Sequence, residues 1–190
     1  MGASVLSGVQ NFTYILQVWN STTMNIKPEI KFGLLGAVLL ISWTIAQYLL
    51  GFHTYRLTWA LSSGYVNFLI VLTCVWLGIK EKRNDTTGVF SVRQGVKESM
   101  YQLSITATIA SLFMFVYDYH INAMWVDKLV DWHRTNESSH SLLMLLSNDP
   151  NASAIILSNT ETHLCLYFLG ILVGGGCMAF LFSGFIGKKA

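Results

Sequence analysis

The residues of this chain best suited to chemistry are histidines and carboxylates at the margins of long apolar runs. His53 follows the first run, Asp118 and His120 close the third, and Glu161 and His163 open the last. Imidazole nitrogen with carboxylate oxygen is a donor set for zinc and other transition metals. No pair among these residues has the spacing of a metal motif, however. The expectation is that at most two of His53, His120 and His163 approach one another, hydrogen-bonded to Asp118, Glu161 or water, with no metal held. No histidine lies deep in a run, which argues against haem. No Ser-His-Asp or Cys-His grouping, Gly-rich phosphate loop or HExxH occurs, so neither a nucleophile nor a base can be named. The expectation is a protein that is not an enzyme, with no cofactor and no identifiable small-molecule substrate.

The elements that must position these residues are the runs themselves. Soluble domains carry about 25% charged residues, whereas this chain has 12% charged and 53% hydrophobic. A bilayer core takes roughly 20 apolar residues in a helix. Four stretches meet that length: 33–52, 59–79, 100–119 and 163–187. Asp118, at the end of the third, is the one Lys, Arg, Asp or Glu among them. A soluble helix of that length would carry a charged face. The fold class expected is all-α, an integral membrane four-helix bundle with short interfacial helices. The net charge of +2 and its scattered cations exclude a nucleic-acid partner.

Charge then sets orientation. With four spans, both termini and the 80–98 connector share one side. That side holds nine cations, among them Lys80, Lys82, Arg83, Arg93 and Lys97, and the other side holds three, Arg56, Lys128 and Arg134. Lys and Arg concentrate in cytoplasmic loops, so both termini are expected inside. In the connector, 80–88 reads as a polar turn with Asn84, Asp85 and Gly88 as breakers. Ser91 and Gln94 fit a capping box that starts the third helix about two turns before the membrane. Arg93, Gln94, Lys97 and Glu98 then face water or lipid phosphate, and the cations anchor the connector to headgroups or to a partner.

On the other side, Trp125, Leu129 and Trp132 share one helical face, which suggests a short helix on the outer leaflet; 141–146 reads as a second such piece. Residues 1–23 read as an N-terminal extension with a possible interfacial helix and no basic region of the kind that opens a cleavable signal. Residues 24–190 form the membrane domain. Cys74, Cys165 and Cys177 sit in apolar runs as small buried hydrophobes. Ser104, Thr108 and Ser111 beside Ala107, and Gly174, Gly175 and Gly176, make small-residue faces for close helix packing. Gln47, Asn67 and Gln102 are the deep amides.

Five pieces carry a resemblance: "KFGLLGAVLLISW", "WLGIKEKRN", "GVFSVRQGVKESM", "YDYHIN" and "LFSGFIGKK". Through them the chain resembles an uncharacterised bacterial four-helix inner-membrane family, domain of unknown function 4199, over roughly residues 24–190. The resemblance implies four helices and an inner-membrane address, and it brings no catalytic residues. The function expected is a non-catalytic accessory or assembly subunit of a larger membrane complex, with lipid bilayer and other membrane subunits as partners. A small transporter or channel lined by Gln47, Asn67, Gln102 and the third-span hydroxyls is the alternative.

Overall fold

The computed structural model describes residues 26–53, 56–86, 90–125, 127–128, 131 and 160–186. The expectations placed on residues 1–23, on Gly88, on Leu129, Trp132 and Arg134 and on 141–146 lie outside the described residues. Among the described residues four long helices make the fold: α1 Pro28–Leu49, α2 Leu57–Asp85, α3 Val92–Val116 and α4 Thr160–Ile186. Among the described residues there is no strand. Each helix is long and apolar enough to cross a membrane, so the chain is an all-helical, multi-pass membrane protein.

Local chemistry explains the helix ends. Pro28 opens α1, where a missing N–H costs nothing, and Glu29 in the same turn meets the positive end of the helix dipole. Gly51, with φ 75°, stops the chain just past α1 in the left-handed conformation that glycine tolerates. The Ser91 hydroxyl accepts from the Gln94 amide at 3.2 Å, so α3 begins at the expected cap.

One expected turn is helical instead. Residues 80–85 continue α2 for almost two further turns and end at Thr86, whose hydroxyl donates to the Lys82 carbonyl at 2.8 Å. Two forces overrule the breakers Asn84 and Asp85. Lys82 and Arg83 suit the negative end of the helix dipole, and Glu81 and Lys82 are held by ion pairs to neighbouring helices.

α3 packs most extensively on α4 and α1; α1 also packs on α2, and α2 on α4, leaving α1 and α4 on the far diagonal. Leu40, Val75, Leu103, Ala107 and Ala179 fill the centre at no more than 1% exposure. Between 17% and 39% of each apolar span is covered by the rest of the protein, which suits helices whose outer faces meet lipid. Apolar residues gain nothing from water by packing there, so close approach of backbones must hold the helices. Gly33 and Gly36 supply it on α1: a Cβ on Gly33 would stand 3.0 Å from the Gln102 carbonyl oxygen, and one on Gly36 3.0 Å from Thr106 Oγ1.

Of the small-residue face expected on α3, Ala107 is buried and Ser111 half-buried. Ser104 and Thr108 are exposed, and the packed face runs through Gly95, Ser99, Leu103, Thr106, Ala107 and Ala110. Ser104 can point outward because its hydroxyl donates to the Met100 carbonyl at 2.8 Å, within its own helix. On α4, Gly175 is buried against Leu103, but Gly174 and Gly176 are only half-buried. Cys74 is buried as expected, whereas Cys165 and Cys177 lie on the exposed face of α4.

Candidate functional site

The turn after α1 and the end of α3 build a polar cluster at one end of the bundle. The Phe52 amide donates back to the Gln47 carbonyl at 2.9 Å, folding His53 under the helices, where it is 4% exposed. Beyond Val116, α3 widens into a π-helical turn, Tyr117–Ile121, closed by the Asn122 amide on the Tyr117 carbonyl at 2.8 Å. Such turns are frequent at functional sites. This one carries Tyr117 and Asp118 inward side by side and leaves His120 exposed.

The Tyr117 hydroxyl is hydrogen-bonded to His53 Nδ1 and accepts from Asn122 Nδ2 at 3.1 Å. The Tyr117 oxygen thus ties His53 and Asn122 together. Trp125 covers the imidazole with its ring centroid 4.1 Å away. Burial, and then the charge of His163, push the His53 pKa down to about 4, so His53 is neutral at ordinary pH. His163 on α4 faces Asp118 instead, Nδ1 to Oδ2 at 3.2 Å. The Asp118 side chain is wholly buried, and its Oδ1 has no hydrogen-bond partner.

Of the three histidines, two thus converge on the consecutive residues Tyr117 and Asp118, and His120 does not join them. Among the described residues, no group of three or more His, Cys, Asp or Glu is placed to share a metal ion. The arrangement links Asp118 to His163 and His53 to Tyr117 by hydrogen bonds. Trp125, expected on the leaflet surface, is 7% exposed, its ring tilted against that of His53.

The opposite end gathers the connector cations, and here the expectation divides. Lys80, Arg93 and Lys97 are exposed and Arg83 half-buried, with Lys97 lying 5.9 Å from the Tyr101 ring centroid. Lys82 is drawn inward: its ammonium lies 3.5 Å from Glu29 on α1 and 3.6 Å from Glu98 on α3. Lys31 pairs with both carboxylate oxygens of Glu81 at 3.0 Å. Glu98 therefore faces a lysine rather than headgroups. Glu29, Lys31 and Glu81 were missed as members of this set; the readable signal was opposite charges at helix ends that antiparallel packing must bring together.

A model of the family described as "Protein of unknown function (DUF4199)" matches residues 31–187. The chain belongs to that family. No curated protein and no solved structure matches it.

The deep amides of this DUF4199 protein have separate surroundings. Gln47 donates from Nε2 to the Ser63 hydroxyl between α1 and α2. Gln102 packs directly against Gly78 of α2, where only a glycine leaves it room. Asn67 instead opens on a crevice of about 280 Å³ between α2 and α4, lined by Phe68, Val71, Leu166, Tyr167 and Gly170. Its Oδ1 is buried without a hydrogen-bond partner. The Thr106 hydroxyl of the third span crosses to the Gly33 carbonyl of α1 at 2.9 Å.

Proposed function

We propose that this DUF4199 protein is a non-catalytic accessory or assembly subunit of a larger complex in the bacterial inner membrane. The observation that carries the reading is a stripe of small residues on α4 that the other described residues leave open. Gly170, Cys177 and Gly184 recur every seven residues, and a Cβ built on Gly170 or Gly184 would meet nothing within 4 Å. Small residues at that spacing let another helix approach closely, which is how helices associate in lipid. The exposed flanks Val173 and Phe180 would give that partner its packing surface. A small transporter or channel is less well supported, because Gln47, Asn67 and Gln102 have different neighbours rather than one shared path.

The orientation belongs to the same proposal. Nine Lys and Arg residues on the side of the termini against three on the other favour termini in the cytoplasm. A cytoplasm-active reporter fused after Lys189 should be active, and a periplasm-active one silent.

Gentle detergent extraction followed by native sizing tests the main reading. The protein is expected to run well above its 21.3 kDa monomer, and Gly184→Leu, which fills the stripe, is expected to release it. A lone monomer under every mild condition would overturn the proposal.

A further inference from the structure

We infer that the crevice between α2 and α4 binds a membrane-soluble alcohol, an apolar molecule whose single hydroxyl donates to Asn67 Oδ1. The buried oxygen of Asn67 has no hydrogen-bond partner, and the walls around it are apolar apart from Tyr167. In the hydrocarbon layer an unpaired amide oxygen is costly, because no bulk water is there to satisfy it. A trapped water needs two to four polar partners, and this crevice is poor in them. A ligand hydroxyl needs one.

Size and depth fit the same class. An apolar cavity of about 150 Å³ already accepts benzene, and this one measures about 280 Å³. That volume is smaller than one turn of a helix takes up at a diameter of about 10 Å or more with side chains. The α4 wall from Leu166 to Gly175 is about 14 Å long at 1.5 Å per residue. Asn67 lies one turn inside the apolar stretch that begins at Ser63, and Leu40, from the middle of α1, closes the inner wall. An amphiphile entering sideways from the bilayer would keep its hydroxyl at Asn67 near the membrane surface and its chain towards Leu40. Gly170 leaves open space on the α4 side. The site shares Gly170 with the partner stripe, but its test substitutes neither Gly170 nor Cys177 nor Gly184.

The full chain in phosphatidylcholine vesicles is labelled with a diazirine-bearing decanol and with the matched alkane probe lacking the hydroxyl. The decanol probe is expected to label 67–71 and 166–175 about tenfold more than the alkane at equal membrane concentration, the discrimination one buried hydrogen bond provides. Unlabelled decanol should compete. Asn67→Leu should erase the preference for the alcohol, and Val71→Trp, which fills the crevice, should reduce labelling by both probes. Equal labelling by the two probes in the wild-type chain would overturn the inference, and that comparison decides even where a variant fails to fold. Cross-linking of an Asn67→Cys variant to residues 141–146 or to another protein would overturn it too, by showing a different occupant.

Discussion

The Thr106 hydroxyl of α3 donates to the Gly33 carbonyl of α1 at 2.9 Å, joining residues 73 apart in sequence. The contact exists because Gly33 has no side chain: a Cβ there would also stand 3.0 Å from Ile105 Cβ. Thr106→Val should destabilise the bundle by about 0.6 to 1.7 kcal/mol, the range of interhelical hydrogen bonds in membranes. Gly33→Val should cost more, about 1–3 kcal/mol, by overpacking against backbone. Unfolding in mixed micelles by SDS measures both. A neutral Gly33→Val would mean that α1 and α3 are not in such close contact.

Two glycines of α4 should behave oppositely. A Cβ on Gly175 would overlap the Leu103 side chain, whereas one on Gly170 meets nothing within 4 Å. Gly175→Val is expected to cost about 1–3 kcal/mol, and Gly170→Ala to stay within about 0.5 kcal/mol of wild type. The same unfolding assay compares them, and equal effects would contradict the packing of α4 on α3.

Lys82 holds Glu29 and Glu98 together across three helices, and Glu29 is 11% exposed at its side chain. At 3.5 Å from Lys82, Glu29 Oε2 is paired electrostatically but makes no hydrogen bond. Lys82→Met would leave two carboxylates facing each other without a cation, at a cost of about 1–3 kcal/mol. Lys80→Met, at an exposed position, should change stability by no more than about 0.5 kcal/mol. Melting temperatures in detergent at low salt would reveal the difference; equal shifts would reduce Lys82 to a headgroup anchor.

His53 predicts a pH dependence with a definite sign. Burial first, then the charge of His163, lower its pKa from 6.5 to about 4. Between those values the unfolded chain takes up a proton that the folded chain refuses, so stability falls as pH drops from 6.5 towards 4. Tyr117 and Trp125 meet the ring, Asn122 bonds Tyr117, and Asp118 and His163 are the titratable groups beside them. The His53→Gln variant should be less stable at neutral pH and lose less on acidification than wild type. Parallel pH curves for the two proteins would refute the assignment.

The sequence alone determined the helix count, the membrane setting, the Ser91 cap and the family, because each depends on local composition or short-range order. A run such as 33–52 excludes charge over its whole length, and no tertiary contact can alter that. What tertiary structure decided was the role of each polar residue. Lys82 and Lys80 are two positions apart on one helix, yet one is locked between carboxylates and the other is exposed. His53, His120 and His163 looked equivalent at their run ends. The π-helical turn then carried Tyr117 and Asp118 inward against two of them and turned the third away. In lipid, an apolar helix has no polar face to announce which side packs. The choice falls to close backbone approach at residues such as Gly33 and Gly175, and that depends on which helices meet.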